Sequence, residues 1–212
     1  MKPQSLIIAL VALACTGCQT AYYETMERLG VHKRDILVDR IEEARDDQEA
    51  VKEEFASALE EFTSVVEFDG GVLEEHYQRL DAALKRSENR ADAVSNSIQD
   101  VERVAEALFK EWEAELAQYS SDDLRRKSAA QLNDTRERYA TLMRAMYQAE
   151  SKLEPVLTPF RDQVLFLKHN LNAQAIASLK NELTSIETDV SALIADIEKS
   201  IEEANAFIND LG

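Results

Sequence analysis

Residues 73–112 read LEEHYQRLDAALKRSENRADAVSNSIQDVERVAEALFKEW. Within that stretch Leu73, Tyr77, Leu80, Leu84, Ser87, Ala91, Val94, Ile98, Val101, Ala105, Leu108 and Trp112 follow one another at alternating steps of four and three. Glu, Arg, Asp and Lys fill the positions between them. This is a heptad seam, the pattern of a helix that lays one narrow apolar stripe against partner helices. Forty residues at about 1.5 Å each make a rod of about 60 Å, which cannot bury its stripe alone.

The flanking sequence supplies the partners. Residues 35–68 carry Leu37, Ile41, Ala44, Gln48, Val51, Phe55, Ala58, Phe62 and Val65 at the same spacing, with Asp35 placed to cap the start. Phe68-Asp69-Gly70-Gly71 is a turn, because paired glycines accept backbone conformations closed to other residues. The second helix then runs over 72–118, and Tyr119-Ser120-Ser121-Asp122 forms the next corner, with a serine cap and acidic residues in the first turn. A third segment, 122–169, places Leu132, Thr135, Tyr139, Leu142, Met146, Ala149, Leu153, Val156 and Phe160 on a seam that continues through Val164, Leu167 and Leu171. Pro155 and Pro159 lie inside it and predict a kink, since each removes a backbone donor and crowds the preceding turn. The phase then jumps by five to Ile176, beside Asn170 and Asn172, which marks a third corner. Ile176, Leu179, Leu183, Ile186, Val190, Leu193, Ile197, Ser200, Ala204, Phe207 and Leu211 complete a fourth stripe.

Short corners favour antiparallel neighbours, so the expected fold is all-α: an elongated antiparallel bundle of four long helices with coiled-coil packing, up-down-up-down. A three-helix arrangement with 122–211 as one rod is the alternative. Residues 35–68 hold three basic and twelve acidic residues, 72–118 six and eleven, and 173–211 two and eight, whereas 122–169 hold nine and seven. The third segment is therefore expected to lie against the three acidic ones as their counter-charged neighbour.

Composition agrees with long solvated helices: 31% of residues are charged and only 7% aromatic, and no glycine falls inside a periodic run. The formal charge of -17 repels phosphate, which disfavours a nucleic acid partner. The chain begins with Lys2 and a short apolar run from Leu6 to Ala14, too short to cross a bilayer and suited to an export signal over 1–17. Cys15-Thr16-Gly17-Cys18 resembles a bacterial lipobox, with Cys15 standing where Leu is usual. Cys18 is then the lipidation site, bearing fatty acyl chains such as palmitate, with cleavage before Cys15 as the alternative. Gln19 is not the Asp that holds lipoproteins at the inner membrane, so the expected address is the periplasmic face of the outer membrane. Several acyl chains, at about 0.8 kcal/mol per buried methylene, make that attachment lasting. Residues 18–34 are then a lipidated leader with a short helix over 22–29, and 35–212 the bundle. Cleavage leaves no second Cys for an internal disulfide, so helix packing must carry the stability.

The runs Cys18-Gln-Thr-Ala-Tyr-Tyr-Glu, His32-Lys-Arg-Asp-Ile-Leu-Val-Asp-Arg, Phe68-Asp-Gly-Gly and Asp162-Gln-Val-Leu-Phe-Leu-Lys-His-Asn-Leu together resemble a family of proteobacterial lipoproteins catalogued as a domain of unknown function. The resemblance covers the whole mature chain. It implies a lipoprotein of the Gram-negative envelope and brings no activity, cofactor or catalytic residue with it.

The residues themselves point away from catalysis. None of His32, His76 and His169 has the Glu three positions earlier that inward-facing metal sites of helical bundles use. No glycine-rich phosphate loop precedes a helix. The expectation is a non-enzyme without metal or cofactor, working as a scaffold or interaction module that engages another envelope protein or a second copy of itself. The rival is a carrier of lipid or another hydrophobic ligand that opens at Pro155 and Pro159. Two places exceed what a seam requires. At the end away from the tether, Phe68, Val72, Leu165 and Phe166 are candidate partner contacts, because the four consecutive apolar residues of 164–167 cover every face of a helix. A widened local core is the competing account of them. At the tethered end Tyr22, Tyr23, Tyr119, Arg125 and Arg126 are candidate membrane contacts, aromatic and basic residues being favoured at headgroup level. There Asp122 and Asp123 are placed to neutralise the cations, and Trp112 belongs to the seam.

Overall fold

The computed structural model of the chain describes residues 32–68, 70 and 72–211. Five helices follow in order: α1 (Lys33–Val66), α2 (Leu73–Leu116), α3 (Asp122–Glu150), α4 (Leu153–His169) and α5 (Ala173–Leu211). α3 and α4 are two parts of one rod, and the described residues contain no strand. α1 packs on α2 and α5, while the α3–α4 rod packs on the other sides of the same two helices. The result is a four-rod ring in chain order, as short corners require.

α1 begins two residues before the expected start. Its N-cap is His32, whose backbone N–H donates to Asp35 Oδ2 at 3.4 Å. Asp35 thus closes the first turn from its third position and is not itself the cap. The α1 seam is otherwise as spaced: Leu37, Ile41, Ala44, Gln48, Val51, Phe55, Ala58, Phe62 and Val65 are all buried. On α2 the seam positions from Leu80 to Ala105 are buried, and so are Ala83, Ser97, Val104 and Phe109 beside them. A rod held between two neighbours needs a wider face than a two-stranded seam.

The third rod breaks at Ser151 and Lys152, one turn before the first proline. Pro155 would crowd the carbonyl four residues back, that of Ser151, so the helix stops there. Restarted at Leu153, it holds Pro155 in its first turn, where a missing N–H costs nothing. Pro159 sits inside α4 without a second interruption. Lys152 Nζ lies 2.6 Å from Asp196 on α5 and, with Gln148, holds that carboxyl below its ordinary range. Leu171, expected on the seam, is 38% exposed, because α4 ends at His169 and leaves it in the corner.

Charge does not set the ring order as expected. The third rod pairs with both neighbours, through Arg136–Glu113 (2.7 Å) and Arg161–Glu88 (2.8 Å) to α2 and Arg138–Asp210 (2.8 Å) to α5. The most acidic helix, α1, lies diagonally across from it, and its Glu61 and Glu54 meet Arg79 and Arg86 of α2 instead (3.2 and 2.9 Å). Exposed pairs contribute about 0–1 kcal/mol each, too little to outweigh apolar stripes and short corners. The diagonal rods meet only through the core, where the rings of Phe62 and Phe160 lie 5.3 Å apart. Toward the other end Tyr139 is held between Phe109 and Phe207, at 5.3 and 6.4 Å. Burial, with Glu102 and Glu106 nearby, pushes its phenol well above the ordinary range.

Candidate functional site

Antiparallel order puts the α1–α2 and α4–α5 corners at one end of the bundle, called distal here because the chain enters at the other. Beyond α1, Glu67 N–H donates to Thr63 O at 2.9 Å, and Gly70 takes a φ of +147°, a conformation that suits glycine. Phe68 is half-buried and meets the His76 ring edge-on at 5.4 Å. His76 Nδ1 in turn lies 3.0 Å from an Arg79 nitrogen and 3.4 Å from Ser64 Oγ. Val72, the N-cap residue of α2, is 55% exposed. At the other distal corner Asn172 Oδ1 accepts from the N–H groups of Gln174 (2.9 Å) and Ala175 (3.2 Å), capping α5.

The 164–167 run divides as helix geometry requires. Val164 and Leu167, three apart, face inward and are buried, whereas Leu165 and Phe166 point outward at 56% and 40% exposure. A widened core therefore accounts for Val65, Val164 and Leu167 but not for Val72, Leu165 and Phe166. Among the described residues the exposed large apolar side chains are Val72, Tyr119, Leu124, Tyr147, Leu165, Phe166 and Leu171, so four of the seven belong to the distal end. Leu171 is exposed at this end as well, because a seam extrapolated past the end of α4 assigns to the core a residue that lies in the corner.

At the proximal end the indole N–H of half-buried Trp112 donates to Ser128 Oγ at 2.8 Å. Tyr119 is 40% exposed. Arg125 pairs with Asp122 at 2.6 Å, and Arg126 and Lys127 both pair with Asp123, at 3.5 and 2.9 Å, so the acidic first turn of α3 answers the basic second. Cys18, Tyr22 and Tyr23 lie outside the described residues. No helix among the described residues is long and apolar enough to cross a membrane.

A groove of about 490 Å³ runs between α2 and the α3–α4 break. Glu88, Asp92, Glu150 and Glu154 line it above Leu157, and Arg161 bridges Glu88 (2.8 Å) to Glu154 (3.0 Å). Beside the break the cleft is thus a mixed one, with carboxylates bridged by Arg161 at its rim and Ala91, Leu153 and Leu157 among its lining. His32 sits at a helix cap, His76 in the Phe68 corner and His169 at the end of α4.

A family model described as Protein of unknown function (DUF2959) matches residues 22–211. Comparison with curated proteins finds no match.

Proposed function

The chain belongs to the DUF2959 family of proteins of unknown function, and on its architecture we propose that it is a non-enzymatic lipoprotein tethered through Cys18 to the periplasmic face of the outer membrane. The bundle is a spacer: α2, 44 residues long, extends about 66 Å at 1.5 Å per residue. It carries an interaction surface away from the tether and engages another envelope protein by apolar packing at the distal end. The observation that carries this reading is the exposure of Val72, Leu165, Phe166 and Leu171 at that one end, beside a fully formed core. Apolar residues scattered singly over a surface need no explanation, but four exposed at the same end of a rod do. The lipobox-like Cys15-Thr16-Gly17-Cys18 and the apolar run before it support the address.

A photoreactive residue at position 166, irradiated in living cells, is expected to capture an envelope protein, and Leu165→Ser is expected to abolish the capture. The melting temperature should move by no more than about 2 °C, since exposed substitutions contribute within about 0.5 kcal/mol. A steep fall in melting temperature would make Leu165 part of the core, and capture no different from that at exposed Glu187 in mid-rod would remove the docking role.

A further inference from the structure

The two distal corners carry opposite charge. At the α1–α2 corner Glu67, Glu74 and Glu75 are exposed on either side of Val72 in the chain. The α4–α5 corner is the reverse. No acidic residue occurs between Asp162 and Glu182, the longest such stretch among the described residues of a chain whose formal charge is -17. That stretch holds Lys168, His169 and Lys180, all exposed. Neither lysine has a carboxylate partner among the described residues, whereas Lys52, Lys85, Lys127 and Lys152 each reach one. Lys168 and His169 stand in the last turn of α4, where the helix dipole favours a cation, but Lys180 lies two turns into α5 and has no such role. The exposed apolar residues belong to the same place. Leu165 stands three and four positions before Lys168 and His169, so the three share one face of α4, with Phe166 next to them and Leu171 in the corner that follows.

We infer that the docking role proposed above, on which this rests, falls to the α4–α5 corner, and that the partner is a protein presenting Asp and Glu carboxylates around an apolar contact. Apolar side chains with charge at their rim are the anatomy of a protein interface, and complementary rim charge steers and selects the partner. An anionic membrane is the poorer match. A flat surface brought to the tip meets Glu67, Glu74 and Glu75 as well as the lysines, and is repelled at one corner while it is drawn to the other. A second copy is a poorer match for a different reason. The acidic and basic corners lie on opposite sides of the ring, so joining one copy's basic corner to the next copy's acidic corner never closes and would string the rods into open rows.

The test measures capture by the photoreactive residue at position 166 of the full-length chain in living cells, in charge-reversed variants. Lys168→Glu and Lys180→Glu should each lower the capture about tenfold, because like charges facing one another across an interface are strongly unfavourable. Lys180→Glu stands clear of the α4 end, so its effect is read without a change in helix capping. Glu75→Lys, at the other corner, should leave the capture at the parent value. Capture undiminished in both lysine variants overturns the acidic partner and leaves the docking role standing. A fall with Glu75→Lys as large as with the lysine variants would spread the contact over the whole tip and also overturns it. A lipid adduct would make a membrane surface the occupant and a covalent dimer a second copy, and either result contradicts the inference. No capture at position 166 removes the docking role and the acidic partner together.

Discussion

Replacing Phe62 with Ala is expected to cost about 3–5 kcal/mol, the range for a large aromatic side chain deleted from a close-packed core. Phe62 has no exposed surface and stacks on Phe160 across the diagonal of the bundle, so both the hydrophobic transfer and the ring contact are lost. The cavity cannot collapse easily, because rods joined by short corners cannot move together at one layer without shifting the layers above and below. At about 2–4 °C per kcal/mol for a chain of this size, the melting temperature should fall by about 10 °C, read by circular dichroism. A change below about 3 °C would mean that the diagonal contact is not made.

Gln48→Leu is expected to act in the opposite direction. Gln48 stands in the α1 seam with no exposed surface, and neither its Oε1 nor its Nε2 has a hydrogen-bond partner. Ser200 Oγ on α5 is likewise unpaired, and the contacts Arg45–Asn205 and Lys52–Glu198 bracket the two residues in one layer. The other buried hydroxyls differ, since Ser87, Ser97 and Thr135 each donate to a carbonyl of their own helix. An unpaired buried amide costs about 1–3 kcal/mol, and leucine fills similar space without that cost. The variant should therefore melt about 3–10 °C higher. Since a buried polar layer can also select register, the same variant should exchange amide hydrogens less cooperatively, with the fall largest around Gln48. A lower melting temperature would mean that the amide is satisfied in solution.

Much of this fold is legible in the sequence, and the reason is physical. A long helix in a bundle has one apolar stripe and few ways to hide it, so the spacing from Leu37 to Val65 and from Leu80 to Ala105 locates two rods to within two residues at each end. What escapes the pattern depends on neighbours. The burial of Val104 and Phe109 beside the α2 seam follows from a second partner helix, which periodicity does not reveal. The break at Ser151 lies four residues before Pro155, where the ring acts and not where it is written. The diagonal placement of α1 and the third rod runs against their charges because surface pairs are weak. Of the distal candidates, Leu165 and Phe166 are legible from four apolar residues in succession, whereas Leu171 is not, its exposure depending on where α4 ends.

The ring order is the claim on which both ends depend, and cysteine pairs read it directly. In a chain with Cys15 and Cys18 replaced by Ser, cysteines at positions 88 and 161, where α2 meets α4 through an ion pair of 2.8 Å, should be joined rapidly by a short bis-maleimide. Cysteines at exposed positions 60 and 162, on α1 and on the rod diagonal to it, should not be. Linking of the second pair with failure of the first would put α1 beside the third rod and contradict the bundle.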